Sequence, residues 1–128
     1  MGIREKLQVM VVDDMSTSRG LLTQGLDALG VWNYCEENDG KSAFHRLQQR
    51  PVHLVLSDYN MPGLDGLGLL EYLRRSPKTQ KTAFILVTGS PTADVVARGK
   101  ALRVNSILKK PFTPAQLRDC IEKVVGPL

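Results

Sequence analysis

Cysteine is scarce: Cys35 and Cys120 are the only two in 128 residues, and neither stands in a CxxC or CxxH spacing. That excludes a disulfide scaffold and argues against a zinc site built on thiolates. Both thiols are expected to be buried and inert. Histidine is equally scarce. His45 and His53 are the whole supply, and neither lies at an expected strand end, so neither is read as a phosphohistidine. Long apolar runs are missing too. Val9–Val12 and Phe84–Val87 fall far short of the roughly 20 residues a membrane-spanning helix needs. The opening Met1-Gly2-Ile3-Arg4-Glu5-Lys6 has no apolar signal region, and Lys6 makes it a poor myristoylation site. The expected compartment is the cytoplasm, without membrane insertion. The one Trp, three Tyr and three Phe do not interleave with basic residues, and Arg74-Arg75 and Lys109-Lys110 are the only basic doublets. The net charge of +4 therefore reads as solvated surface, not as a nucleic-acid face. What remains is ordinary: 42% hydrophobic and 23% charged residues suit one globular domain with its own core.

Along the chain, strand and helix signals alternate. Leu7–Asp13 is a short run rich in β-branched residues, read as a buried strand. Ser16–Leu29 reads as a helix with Leu21, Leu22, Leu26 and Leu29 inward and Gly30 as its stop. Val31–Glu37 is a weaker second strand. Asn38-Asp39-Gly40 has cap character before a helix over Ser42–Gln49, which carries Ala43, Phe44 and Leu47 inward. His53–Ser57 is the third strand, followed at once by Asp58 and a loop dense in breakers, Asn60–Gly66. Leu67–Arg75 is helical, Ala83–Thr88 is the fourth strand, and Thr92–Leu102 is a helix weakened by Gly99. Val104–Leu108 is the fifth strand. Thr113, Pro114 and Gln116 open the last helix as N-cap, first residue and capping-box partner. Five strands alternating with five helices define a doubly wound α/β domain with a parallel sheet.

In such a sheet, ligands bind beyond the carboxyl ends of the strands. Those ends carry Asp13-Asp14, Asp58, Thr88 and Lys109-Lys110. The second strand ends in Glu36-Glu37, a pair with no assigned role. Singly, each polar residue could be a cap. Together they form one chemical set. Three carboxylates at one edge repel one another and need a cation. All-oxygen ligands favour Mg²⁺, with Mn²⁺ able to substitute. Asp58 at a strand tip is placed to act as a nucleophile. Thr88 and a lysine can contact phosphoryl oxygens.

The series Asp13-Asp14, Asp58, Met61-Pro62-Gly63-x-Asp65-Gly66, Thr88 and Lys110-Pro111-Phe112 resembles that of response-regulator receiver domains of the single-domain, CheY-like chemotaxis type. The resemblance covers the whole chain. It implies a five-stranded flavodoxin-like sheet in the order 2-1-3-4-5 and a single receiver domain over residues 1–128 with no output domain. It also implies that Asp58 accepts the phosphoryl group, and that Asp13, Asp14, Asp58 and the Asn60 carbonyl hold Mg²⁺. Thr88 matches the switch hydroxyl, and Lys110, immediately before the proline, matches the family lysine. Asn60 and Ser90 match positions that affect dephosphorylation, and Gly89 fits where the family has a small residue. Ile107 departs from the family, which has an aromatic switch residue there, and Gly99 suggests a mobile or shortened fourth helix.

The expected function is a phosphorylation switch in chemotaxis and flagellar rotation. Its kinase would be a CheA-like sensor histidine kinase, and its further partners a flagellar motor switch protein or a phosphatase. The chain would act as a monomer that promotes its own phosphorylation and dephosphorylation. Alternatives are a phosphate sink for a shared kinase and an unphosphorylated docking domain. A haloacid-dehalogenase-type phosphatase would want a second acid two residues after the nucleophile, where this chain has Asn60.

Overall fold

The computed structural model describes residues 2–128. Five strands, β1 (Val9–Val12), β2 (Tyr34–Glu37), β3 (Leu54–Asp58), β4 (Ala83–Thr88) and β5 (Ser106–Lys109), lie parallel in the order β2-β1-β3-β4-β5. Five helices alternate with them: α1 (Ser16–Ala28), α2 (Gly40–Gln49), α3 (Gly66–Arg75), α4 (Ala93–Ala101) and α5 (Pro114–Val125). The expected sheet and its order are those observed. The three central strands are buried on both faces, which is why their sequences are almost continuously apolar.

Alternating side chains split the core in two. Val9, Val11, Leu54, Leu56, Ile85 and Val87 face Leu22, Leu26 and Leu117 on the α1–α5 side. Met10, Val12, Val55, Phe84 and Leu86 face Leu47, Leu70, Leu73 and Val95 on the α2–α3–α4 side. Helix starts are fixed by side chains that accept from otherwise unpaired backbone N–H groups: Asp39 from Ser42, Asp65 from Gly68, Thr92 from Val95 and Thr113 from Gln116. The capping box expected at Thr113 and Gln116 has both of its bonds. Helix α1 stops before Gly30, whose φ of +77° suits glycine.

Several expectations change. Leu21 points to solvent with 58% exposure, because Leu22 and Leu26 already fill the buried stripe. Val31 is buried but lies before β2, which starts at Tyr34. Asp39 is the α2 N-cap, so that helix begins two residues early, at Gly40. Helix α4 is nine residues long, with Thr92 as its cap. Gly99 is buried there, and a Cβ at that position would stand 3.1 Å from Val104 Cγ1. Close packing of α4 on the entry to β5, not mobility, accounts for this glycine. Cys120 is buried, whereas Cys35 is only half-buried. Burial pushes both thiols above their ordinary pKa, which keeps them protonated and inert. No helix is long and apolar enough to cross a membrane among the described residues.

Candidate functional site

The carboxyl edge of the sheet builds the site. Asp13 follows β1, and its backbone N–H continues the ladder to Glu37 O at 3.1 Å. Its side chain is fully buried. Oδ1 accepts from Met15 N at 3.0 Å. Oδ2 is buried without a hydrogen-bond partner among the described residues. Asp58 closes β3 with 7% exposure. One oxygen each from Asp13, Asp14 and Asp58 lie within 4.8 Å of one another, and Asp14 is exposed.

Lysine 110 enters from beyond β5. Its backbone N–H is held by Thr88 O at 2.9 Å. Its Nζ donates to Asp58 Oδ1 at 2.8 Å and stands 3.7 Å from Asp13 Oδ2. It also donates to Ser18 Oγ at 2.9 Å. Lys109 is exposed, so of the doublet it is Lys110 that reaches the carboxylates. Burial raises the Asp58 pKa from its ordinary carboxylate value. The charges of Asp13 and Asp14 add to the rise, and the Lys110 hydrogen bond opposes it.

The loop after β3 is tied to the sheet. Tyr59 N donates to Val87 O, and Gly66 N donates to Tyr59 O, both at 2.9 Å. A Cβ on Gly66 would lie 2.4 Å from Asp58 O, so only glycine allows α3 to start this close to the acidic tip. Asn60 and Gly63 of this loop are exposed, and Met61 is buried.

Thr88 is 1% exposed at the end of β4, and its Oγ1 accepts from Ser90 N at 3.1 Å. Gly89 and Ser90 are exposed in the next loop. Ile107 pairs with Leu86 and packs, half-buried, against the α2–α3–α4 side of the core.

Two ion pairs escape a sequence reading. The Arg19 guanidinium donates to Asp13 O at 2.8 Å and to Glu36 Oε1 at 3.0 Å, bracing the acidic turn from α1. Glu37 pairs with Arg46 at 2.9 Å. Together these account for the Glu36-Glu37 pair. No sequence spacing signals Arg19 or Ser18, because their partners come from other elements.

Asp13 Oδ2 is buried without a hydrogen bond, and three carboxylates face the single Lys110 ammonium, so the cluster is under-compensated without a further cation. The donor set is all oxygen, and it fits a hard divalent ion that keeps several waters. The arrangement thus offers a cation seat, a carboxylate nucleophile and a fixed ammonium.

Residues 9–122 match the family model described as response regulator receiver domain. The chain belongs to that family. It is 41% identical to a probable chemotaxis protein CheY of Rhizobium etli, over all of this chain and 99% of the relative. Its fold matches the Vibrio cholerae chemotaxis protein CheY4 with a TM-score of 0.86 and 25% identity, over 92% of this chain and 98% of that one. A receiver domain from a Pseudomonas aeruginosa sensor histidine kinase, solved with magnesium in its active-site cleft, shares the fold. That likeness has a TM-score of 0.84 at 21% identity, over 94% of this chain and 98% of that one.

Proposed function

We propose that the chain is a single-domain chemotaxis switch in which Asp58 accepts a phosphoryl group from the phosphohistidine of a CheA-like sensor kinase. The observation that carries this reading is the meeting of Asp13, Asp14 and Asp58 oxygens within 4.8 Å, with Lys110 Nζ 2.8 Å from the acceptor.

An Asp58 oxygen forms a bond to phosphorus as the donor's N–P bond breaks, and the imidazole leaves with that electron pair. Asp13, Asp14, Asp58 and the Asn60 carbonyl are the residues that would hold Mg²⁺, or Mn²⁺ in its place. The ion supplies charge neutralisation among the acids and Lewis-acid contact with a phosphoryl oxygen. Lys110 offers its ammonium to another phosphoryl oxygen. Thr88 Oγ1 accepts from Ser90 N and keeps its own proton to donate. Asn60 and Ser90 flank the acceptor and the switch hydroxyl, where they can set access for a hydrolytic water.

Binding to a downstream partner, a flagellar motor switch protein or a phosphatase, then changes with the population of the phosphorylated state. The protein acts as a cytoplasmic monomer, one receiver domain over residues 1–128. Ile107 in place of an aromatic favours a second reading, in which the same chemistry drains a shared kinase without engaging the motor.

The test is intact mass after incubation with a small phosphodonor, with and without Mg²⁺, on wild type and Asp58→Asn. One base-labile adduct that needs Mg²⁺ and is absent from the variant supports the reading. No adduct from either the small donor or a phosphorylated kinase refutes it. Binding of the phosphorylated form to a motor switch protein separates motor control from a sink.

A further inference from the structure

We propose that Ser18 is a positioning residue for Lys110: its hydroxyl holds the ammonium at the acceptor carboxylate while the phosphoryl group arrives. The inference rests on the reading of Asp58 as acceptor and concerns how the lysine stays in place.

A lysine ammonium has three N–H donors on a flexible four-carbon stem. Here two of its neighbours are carboxylates, Asp58 Oδ1 at 2.8 Å and Asp13 Oδ2 at 3.7 Å. The third is the uncharged Ser18 Oγ, at 2.9 Å. The side chain is 27% exposed, so water competes for it. When charge in the site is redistributed by a cation and an incoming phosphoryl group, both carboxylates become weaker anchors for the ammonium. Ser18 does not change. It sits in the first turn of α1, a helix whose Leu22 and Leu26 are fully buried, so its position is fixed by the core.

The Ser18 hydroxyl makes no other hydrogen bond among the described residues, so the Lys110 contact is its whole polar role. It is not needed to start the helix, because the N-cap position is Met15 and no side chain caps there. Its partner lies 92 positions away in sequence. No covalent bond to Ser18 or Lys110 forms or breaks during transfer.

The experiment measures phosphorylation by phosphoramidate, a donor too small to need a docking surface, at saturating Mg²⁺ and by intact mass. Wild type is compared with Ser18→Ala, Ser18→Thr and Ser18→Val, each first shown to be folded by its thermal melt. Loss of one hydrogen bond to a charged group predicts a rate about 10- to 100-fold lower for Ser18→Ala and Ser18→Val. Ser18→Thr, which keeps the hydroxyl, should stay within about 2-fold of wild type by the same reasoning. The Mg²⁺ midpoint should not move. In a Lys110→Met background, Ser18→Ala should add no further loss, since the two residues act through one contact.

A Ser18→Ala rate equal to wild type overturns the proposal. So does a Ser18→Thr rate as low as that of Ser18→Val, or a full additional loss in the Lys110→Met background. A wild-type protein that takes no phosphoryl group from any donor overturns the acceptor reading itself, and this inference with it.

Discussion

Asp13→Asn should make the metal-free protein more stable, and excess Mg²⁺ should shrink or reverse that gain. Two unit charges 4.8 Å apart repel by about 3.5 kcal/mol at an effective dielectric of about 20. The three carboxylate oxygens lie within that distance, so each pair repels at least this strongly before solvent screening. Lys110 stands 3.7 Å from Asp13 Oδ2 and returns about 4.5 kcal/mol on the same scale. Asp58 nearly cancels that attraction. Asp14, screened because it is exposed, tips the balance against the charge on Asp13. Burial of an ionised oxygen without a hydrogen bond adds to the cost. Asparagine keeps the Oδ1 that Met15 N needs, and it places a donor where the unpaired oxygen stood. The net expectation in EDTA is a gain of about 1–3 kcal/mol. Mg²⁺ at about 100 times its Kd stabilises the wild type by about 2.7 kcal/mol, most of which the variant forgoes. Urea titrations followed by far-UV circular dichroism, in EDTA and in excess Mg²⁺, measure both arms. A variant less stable than wild type in EDTA would refute the reasoning, because the cluster would then not be held against its own repulsion.

Asp39→Ala removes the α2 N-cap and should cost about 1 kcal/mol at neutral pH. Hydrogen bonds from the Ser42 N–H and hydroxyl hold the Asp39 carboxyl below its ordinary pKa. Its contribution is therefore present above the unfolded value near 4 and lost as pH falls through the lower folded value. The stability gap between wild type and variant should close in that window when urea midpoints are taken from pH 6 down to pH 2. Arg74→Met removes a guanidinium that donates to the carbonyls of Leu102, Gln80, Thr82 and Arg103 and to Asn105 Oδ1. It should cost about 2–4 kcal/mol, read as a lower urea midpoint, since several acceptors lose a charged donor together. Gly66→Ala pushes a methyl group to within 2.4 Å of Asp58 O. A loss of about 2 kcal/mol or more is expected, with weaker Mg²⁺ binding by titration calorimetry, because the shift falls on the acidic tip.

The sheet was legible because strand ends and helix starts are local events. Val9–Val12 and Ala83–Thr88 are apolar runs bounded by polar residues, and Thr113-Pro114-Ala115-Gln116 announces a helix on its own. Once the strands are parallel, their last residues share an edge, and Asp13, Asp58 and Lys110 meet for topological reasons alone. What stayed hidden depends on distance in the chain. Ser18 and Lys110 are 92 residues apart, and Arg74 gathers acceptors from the approach to β4 and from the turn between α4 and β5. Glu36 gains a role only when α1 brings Arg19 over the end of β1. Leu21 misled because the three leucines of α1 span more arc than the core covers, and Gly99 because a helical glycine looks weak until Val104 is seen against it.

The same connections bear on how the site would speak to the rest of the molecule when an aromatic at position 107 is lacking. Ile107 packs, half-buried, into the α2–α3–α4 side of the core. A backbone route exists beside it. Thr88 Oγ1 holds Ser90 N at 3.1 Å, and Thr92 N donates to Ser90 O at 2.8 Å. Thr92 is also the cap that starts α4. At its other end α4 is pinned by Arg74 through the Leu102 carbonyl at 3.2 Å. Helix α4 is thus tied at its C-terminal end through Leu102 and at its N-terminal end through Thr92, Ser90 and Thr88. On the proposed function, a phosphoryl group that draws the Thr88 hydroxyl inward lengthens the bond to Ser90 N and moves the N-terminal cap of α4 more than its C-terminal end. The chain then needs no aromatic rotor for the site to reshape the α4 face. Ile107 supplies only a packing surface that accommodates the shift.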